Sequence, residues 1–337
     1  MTKRRLTRKQ AWRIDKVQQE KSERLNKKAD VIPDQELGDP QEGNVVSHFG
    51  TFVEVEPSDS KDKSVRCHFR TNLGGIVTGD RVVWRDGKSG YGVIEAVLPR
   101  HSLLSRPDVR GNLKPVAANI DFIVLVITPE PTPSGMLIDR YLVAAQLQGI
   151  PVKILLNKTD LITPLNEESL FGLLSRYEDI GYHTLTSSTK TREGLDALID
   201  CLNQHTSVFV GQSGVGKSSL VNALLPGVDI KVAELSEGSK LGRHTTTNAR
   251  LFHFPHGGDL IDSPGIREFG LWHLDPGKVI EGYVDFQEFL GYCKFRDCRH
   301  QNEPGCALKS AVSDGKIDAQ RFENYFSIVA ALEDHNK

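Results

Sequence analysis

The sequence predicts an α/β protein with a small β-barrel before its parallel sheet and a mainly helical region after it. Short strand-like runs separated by turn residues lie between residues 45 and 100, a pattern typical of a barrel. Apolar runs then alternate with helix-length segments up to residue 262, which indicates a parallel sheet covered by helices. We place the domains at residues 1–40, 41–105, 106–275 and 276–337 of the 337-residue chain.

The N-terminal arm is strongly basic. Residues 1–30 hold eleven Lys or Arg and four acidic residues, although the whole chain has a formal net charge of −2. Such an arm favours a polyanionic partner, with RNA as the first candidate, and a solvated disordered tail is the alternative. Residues 31–44 are rich in Pro, Gly and acidic residues, which predicts a linker.

Neither a secretory signal nor a membrane span is predicted. The basic N-terminus is not followed by an apolar stretch, and the longest apolar run, FIVLVI at residues 122–127, is far shorter than a bilayer requires. We therefore expect a cytoplasmic protein without membrane contact.

The barrel strands are predicted at VVSHFGTFVEVE, VRCHFR, DRVVW and YGVIEAVL, with glycine-containing turns between them. A barrel of about five strands suits an oligonucleotide-binding (OB) fold. A barrel that serves only as a spacer is the alternative, and the strand pattern does not separate the two.

A phosphate-binding loop is predicted by the stretch GQSGVGKSS. It fits the pattern G-x-x-x-x-G-K-[ST], with an apolar strand before it and an amphipathic helix after it. Backbone N–H groups of such a loop bind phosphates; Lys217 would reach the β and γ phosphates, and Ser218 would bind Mg²⁺. The loop residues are Gly211, Gln212, Ser213, Gly214, Val215, Gly216, Lys217, Ser218 and Ser219.

The stretch NKTD predicts a guanine reader at the end of another strand. The Asp160 carboxylate can accept from the ring N–H and the exocyclic amine of guanine, and adenine offers neither donor there. Asn157 would address the other base edge, Lys158 would cover the base face, and Thr159 completes the loop. The run TSS at residues 186–188 would add a backbone N–H for the guanine oxygen, at Ser187 or Ser188.

Two further loops suit γ-phosphate and Mg²⁺ binding. DSPG at residues 262–265 fits D-x-x-G, in which Asp262 tethers Mg²⁺ through water and Gly265 bonds the γ-phosphate. GRHTTT at 242–247 supplies Thr246 or Thr247 as a Mg²⁺ ligand. Here NKTD precedes the phosphate loop, whereas in common GTPases it follows. The order thus predicts a circularly permuted GTPase domain, whose DSPG loop leads into the cysteine-containing region.

The hydrolytic step lacks one familiar group. Ile266 follows Gly265, at the position where many GTPases carry a water-orienting glutamine, so slow intrinsic hydrolysis is expected. His244 is the candidate for positioning the water, with structural packing as the alternative. A partner could also order these loops or donate a cationic group.

Four residues in the C-terminal region predict a structural zinc site. Cys293, Cys298, His300 and Cys306 form C-x₄-C-x-H-x₅-C, a closed tetrahedral ligand set without room for catalytic water. Unligated thiols are the alternative. Beyond them, the helical stretch KIDAQRFENYFSIVAALED presents a predicted packing face of Ile317, Phe322, Tyr325, Phe326 and Val329.

These motifs, in this order and joined to this cysteine spacing, resemble the bacterial ribosome small subunit-dependent GTPases, the RsgA or YjeQ family. The resemblance covers almost everything after the basic arm. It implies an OB-fold, a circularly permuted GTPase domain and a zinc-binding domain, with GTP/GDP, Mg²⁺ and one Zn²⁺. It also implies that GTP hydrolysis is stimulated by the 30S subunit during its late maturation. We expect contact with 16S rRNA and a monomer.

Two other functions remain open. A GTP-gated RNA-binding module would use hydrolysis only to reset binding. A P-loop kinase or metabolic enzyme would require an acceptor pocket that the sequence does not suggest, and NKTD and DSPG argue against it.

Overall fold

The computed structural model describes residues 37–60, 63–70, 73–87, 90–107, 113–226, 249–262 and 275–335. The chain divides into two compact units. One contains the described residues up to 101, with 117–119 and 249–251, and the other contains the rest. In the described part of the chain, no helix is both long and apolar enough to cross a bilayer.

The first unit is a five-stranded barrel, as predicted. Its strands are β1 (Leu37–His48), β2 (Val53–Pro57), β3 (Val65–Phe69), β4 (Arg81–Gly87) and β5 (Gly92–Val97). They follow the order β1-β2-β3-β5-β4, and β1 also pairs with β4, which closes the barrel. Alternate side chains point inward, and the core consists of Val45, Val53, Val55, Cys67, Ile76, Val82, Trp84 and Ile94.

The linker prediction for residues 31–44 is wrong from residue 37 onward, because β1 begins at Leu37. The residues before Val45 pair with β4, for example Gln41 with Trp84 and Pro40 with Arg85. Their side chains are mostly exposed, so no apolar alternation marks the strand in the sequence. Cross-strand backbone bonds outweigh the turn-forming composition.

The second unit contains the predicted parallel sheet. Strands β8 (Phe122–Ile127), β9 (Val152–Asn157), β10 (His183–Ser187), β11 (Thr206–Val210) and β13 (Asp259–Asp262) lie in the order β10-β9-β8-β11-β13. All of these neighbours are parallel. Strand β12 (Arg250–His253) precedes β13. A two-stranded sheet of β6 (Leu103–Pro107) and β7 (Leu113–Ala118) was not predicted.

Four helices connect the described strands of the second unit: α1 (Gly135–Gln146), α2 (Glu167–Asp179), α3 (Leu195–Leu202) and α4 (Lys217–Leu224). The Ser134 hydroxyl caps α1 by accepting from Leu137 N at 3.1 Å. Leu198, Leu202, Leu220 and Val221 bury the sheet-facing sides of α3 and α4. Strands and helices alternate as the sequence pattern predicts.

The C-terminal region contains two 3₁₀ turns, η2 (Pro276–Gly282) and η3 (Val284–Phe289), and the helices α5 (Ala307–Ser313) and α6 (Ala319–His335). Phe322, Tyr325 and Phe326 contact aromatic neighbours, as a packing face should. However, the most buried side chains of α6 include the polar residues Arg321 and Asn324. The apolar pattern thus located the helix but not the whole of its buried face.

Candidate functional site

The predicted nucleotide-binding loops leave one edge of the parallel sheet. Parallel strands end on the same edge. Strands β9, β10 and β13 end within NKTD, the TSS run and DSPG, respectively, and β11 leads into the phosphate loop. Such an edge is where open α/β sheets bind their ligands. The sheet therefore brings together motifs that are far apart in the chain.

The phosphate loop joins β11 to α4 through residues 211–216. Gln212, Ser213 and Gly214 are exposed, whereas Val215 is buried and anchors the loop. Lys217 Nζ donates to the carbonyl oxygens of Gly211 at 2.8 Å and Gln212 at 2.6 Å. The ammonium group thus lies over the loop. Ser218 and Ser219 follow Lys217 in the first turn of α4.

The predicted base-reading loop is hydrogen-bonded to the phosphate loop. Asn157 is fully buried, and its Nδ2 donates to Val215 O at 2.9 Å. Lys158 Nζ donates to Gly214 O at 2.7 Å. Gly216 has a φ of +90°, and a Cβ there would lie 2.5 Å from Asn157 Nδ2, so glycine alone permits this approach. The two loops form one connected cradle.

Lys158 has a backbone conformation that suits its hydrogen bond to the phosphate loop. Its φ of +59° lies in the left-handed region, which few residues other than glycine adopt. The conformation directs its side chain back over the phosphate loop. Thr159 and Asp160 then begin the short 3₁₀ turn η1 (Thr159–Leu161). Among the described residues, Thr159 Oγ1 has no hydrogen-bond partner.

The two serines of the TSS run make different contacts. Ser187 Oγ lies 3.2 Å from Asn157 Oδ1, and Ser188 Oγ lies 2.6 Å from Asp160 Oδ1. Ser188 Oγ also accepts from the backbone N–H groups of Lys190 and Thr191, each at 3.2 Å. The Ser188 hydrogen bond is the main cause that lowers the pKa of Asp160. Asp160 is therefore held as a carboxylate, the acceptor that guanine requires.

Lys190 was missed by the sequence reading. Its Nζ lies 3.6 Å from Asp160 Oδ2, and its side chain is largely exposed. The only sequence signal is its position two residues after Ser188, in the same turn. A single exposed lysine is too common to attract attention without this geometry.

The remaining predicted nucleotide residues are only partly described. Asp262 is the last residue of β13, which pairs with the phosphate-loop strand β11 at Thr206↔Asp259 and Ser207↔Leu260. It therefore lies at the same sheet edge as the phosphate loop. His244, Thr246, Thr247, Gly265 and Ile266 lie outside the described residues.

The predicted zinc ligands converge. The ligand atoms of Cys293, Cys298, His300 and Cys306 all lie within 4.8 Å of one another. Cys293 Sγ lies 4.0 Å from Cys306 Sγ, and His300 Nδ1 lies 3.5 and 3.4 Å from these two sulfur atoms. Tetrahedral Zn²⁺ with Zn–S bonds of about 2.3 Å gives S···S separations of about 3.8 Å. The four residues therefore fit a zinc ion.

The surroundings of the cysteine cluster suit metal ligation. Burial lowers the pKa of His300, which favours the neutral imidazole that binds metals. The backbone N–H of Ala307 donates to Cys293 Sγ at 3.4 Å, and Cys306 precedes the first residue of α5. A metal here would fix the start of α5.

The fold and motif order define a circularly permuted P-loop GTPase. The family model described as RsgA GTPase matches residues 97–272. The chain is 54% identical to the small ribosomal subunit biogenesis GTPase RsgA of Pseudomonas aeruginosa over 336 residues, which cover 98% of each chain. It is also 54% identical to the protein of that name from Azotobacter vinelandii, with the same coverage. The chain belongs to the RsgA GTPase family, a family of GTP hydrolases that use Mg²⁺.

Two solved structures share this architecture. The crystal structure of YjeQ from Thermotoga maritima superposes with a TM-score of 0.73 at 33% identity, covering 87% of this chain and 99% of that one. YloQ, which is described as a circularly permuted GTPase, superposes with a TM-score of 0.70 at 30% identity, covering 88% and 96%. The permuted order predicted from the motifs is confirmed.

Proposed function

We propose that this chain hydrolyses GTP to GDP and phosphate on the 30S ribosomal subunit, during late assembly of that subunit. The observation that supports this best is the pair of side-chain bonds from Asn157 and Lys158 to the phosphate loop. They connect the loop of the carboxylate that we expect to read guanine to the loop that we expect to bind the phosphates. Its relatives are named for small ribosomal subunit biogenesis.

Guanine selection is assigned to Asp160. Ser188 orients its carboxylate, and Asn157 and Ser187 brace the loop beneath the base. The aliphatic part of Lys158 covers one base face, and Lys190 adds positive charge at the carboxylate. A base without the two guanine donors leaves Asp160 unpaired, which typically costs several orders of magnitude in affinity.

Phosphate binding is assigned to the loop and the first turn of α4. The backbone N–H groups of residues 212–218 would hold the phosphates, with Lys217 at the β and γ groups. Ser218, Asp262 and one of Thr246 or Thr247 would hold Mg²⁺, directly or through water. Gly265 would donate its N–H to the γ-phosphate.

For hydrolysis, we assign the water-positioning role to His244, because Ile266 has no hydrogen-bonding side chain. Hydrolysis by the chain alone should therefore be slow, and the 30S subunit would accelerate it by ordering these loops or donating a cation. A His244→Ala variant should keep GTP affinity and lose most of the stimulated rate. If the rate is unchanged, His244 has no role in positioning the water.

Zinc is assigned to the cysteine cluster as a structural ion. Zinc would supply no chemistry to hydrolysis; it would hold residues 293–306 together. Cys298→Ser should lower the zinc content from about one ion per chain and expose the cluster region to proteolysis. Cys201→Ser, in the sheet-covering helix α3, is the matched control. Full zinc content in Cys298→Ser would contradict the ligand set.

An RNA-facing surface is assigned to the segment that holds the cysteine cluster. Tyr292 is 78% exposed and Phe295 is 42% exposed, and Lys294, Arg296 and Arg299 lie exposed between the ligands. Lys294 Nζ lies 5.7 Å from the centre of the Phe295 ring. Exposed aromatic rings among basic side chains suit base stacking beside a phosphate backbone. We expect 16S rRNA to be the polyanion and the chain to act as a monomer in the cytoplasm.

The first experiment measures GTP hydrolysis by the purified chain alone, with 30S subunits and with 50S subunits. Stimulation by 30S alone is expected. Equal rates in all three samples would contradict the proposed action on the 30S subunit. They would not bear on GTP binding by the chain itself. A hydrolysis-defective variant that still completes 30S maturation would instead favour the GTP-gated binding module.

A further inference from the structure

A buried ionic cluster joins helix α6 of the C-terminal region to helix α1 of the parallel-sheet region. We call Asp139, Tyr177, Asp285, Arg321 and Asn324 the Arg321 cluster. Arg321 is 4% exposed, and Asp139 is fully buried. Arg321 donates to both Asp285 oxygens, from Nε at 3.0 Å and Nη2 at 2.7 Å, and its Nη1 donates to Asp139 Oδ1.

Asp139 receives further hydrogen bonds. Asn324 Nδ2 donates to its Oδ2 at 2.7 Å, and the Tyr177 hydroxyl lies 3.0 Å from its Oδ1. The guanidinium carbon of Arg321 also lies 4.9 Å from the centre of the Tyr283 ring. Two carboxylates therefore share one guanidinium away from water, and each carboxylate oxygen accepts a hydrogen bond from a protein donor.

Such a cluster is a poor source of stability. Desolvating three charged groups costs about as much as their mutual attraction returns, and apolar residues of the same volume often serve as well. The attested use of a buried charge network is to fix one packing register, because alternative registers leave a charge unpaired. The Arg321 cluster thus specifies where α6 and α1 meet.

Helix α1 lies between the Arg321 cluster and the phosphate loop, and different stripes of its surface face the two. Gly135, Asp139 and Val143 lie four residues apart on one stripe of α1. A Cβ at Gly135 would meet Asn324, and one at Gly282 of η2 would lie 2.6 Å from Val143 Cγ1. A neighbouring stripe, Leu137, Ile138 and Tyr141, lines a small pocket together with Gly211, Gln212 and Val215 of the phosphate loop.

We propose that Arg321 is a positioning residue for the nucleotide site: through Asp139 it fixes helix α1, and α1 supports the phosphate loop. This inference rests on the proposed GTPase function of the same site. It assigns a nucleotide-site role to a side chain in the C-terminal region, more than 100 residues after the phosphate loop in the chain. Coupling of this kind passes through packed elements that have discrete arrangements.

The test compares Arg321→Met with a matched control, Ile328→Ala, in the full-length chain. Ile328 is also buried on α6 but lies outside the Arg321 cluster. Both variants should lose unfolding free energy, and only Arg321→Met should disturb the phosphate loop. Arg321→Lys keeps a charge but cannot bond both carboxylates in the same way, so its effect should be intermediate.

The readouts are KM and kcat for GTP and the Kd for GDP. We expect Arg321→Met to raise KM and Kd by about 2- to 30-fold, the usual range for coupling through such networks, with kcat within about twofold. The loop would contact the phosphates of both nucleotides, so both affinities should weaken together. Arg321→Lys is the milder variant if Arg321→Met does not fold.

The outcomes separate positioning from stability. Equal changes in Ile328→Ala and Arg321→Met would assign the effect to lost stability and overturn the proposal. Unchanged KM and Kd in a folded Arg321→Met, or in Arg321→Lys if it replaces it, would also overturn it. Wild-type GTP binding and hydrolysis, measured in the same series, test the GTPase function separately.

Discussion

Two polar clusters in this molecule connect distant segments, and they use their hydrogen bonds differently. At the proposed nucleotide site, Asp160 is oriented through Oδ1 by Ser188 and keeps capacity for further donors. In the Arg321 cluster, every carboxylate oxygen of Asp139 and Asp285 already accepts from a protein donor. The first cluster is open to a ligand, and the second is closed.

The difference indicates what each cluster can do. In an open cluster, the remaining donors and acceptors bond to the ligand. Altering one of them therefore changes which ligand binds best. A closed cluster acts through the packing and stability of the elements that it joins, so its effect on a ligand is indirect. Substitutions of similar size should therefore have different consequences in the two places.

The largest effect is expected from Asp160→Asn. The amide offers an N–H donor where the carboxylate accepted, which suits xanthine, whose carbonyl replaces the guanine amine. The GTP-to-XTP affinity ratio should shift on the order of 10⁴-fold toward XTP. Competition binding of the two nucleotides measures this shift.

The control for this variant is Asp200→Asn, an exposed carboxylate on α3. It should leave the ratio as it is in the wild type. An Asp160→Asn protein that loses both nucleotides equally would contradict the assignment of Asp160 as the base reader.

The closed cluster should respond through stability and pH. Burial raises the pKa of Asp139 to about 6, although Arg321 opposes this shift. The charged or titratable groups that interact with Asp139 are Arg321, Asp285, Tyr177, Tyr182 and Tyr283. A raised folded-state pKa means that this group stabilises the fold most at low pH, and the contribution is lost as the pH rises through about 6.

Asp139→Asn should remove that dependence. The unfolding free energy of the wild type minus that of the variant should fall by about 2 kcal/mol between pH 4 and pH 6, and level off at higher pH. Urea unfolding across this range measures it, with exposed Asp179→Asn as the control. A difference that does not change with pH would show that Asp139 is charged at every pH tested.

The sequence predicted which residues meet at the open cluster because they lie in short motifs at strand ends; that they bind a nucleotide stays a prediction. NKTD and GQSGVGKSS identify their residues directly, and a parallel sheet must bring strand ends together. The Cys/His spacing predicted its cluster for the same reason, since all four ligands lie within 14 residues. The strand at 37–44 was missed because its exposed side chains show no alternation.

The closed cluster could not have been predicted in this way. Asp139, Asp285 and Arg321 come from separate elements, and no spacing rule links them. On α6, hydrophobicity pointed to Phe322 and Phe326, but the adjacent Arg321 is more deeply buried. A charged residue in a helix is read as exposed unless its partners are known, and these partners become visible only in the fold.

The smallest expected effect is that of Ser188→Ala, which alters the orientation of the open cluster and not its chemistry. The variant loses the 2.6 Å bond to Asp160 Oδ1 and so releases one restraint on the base reader. GTP and GDP affinities should both fall about tenfold, with the preference for guanine retained. Exposed Ser169→Ala is the control, and nucleotide titration is the measurement. Unchanged affinity would mean that the turn acts only through its backbone N–H groups, and it would leave Asp160 oriented by the loop that Asn157 and Lys158 hold against the phosphate cradle.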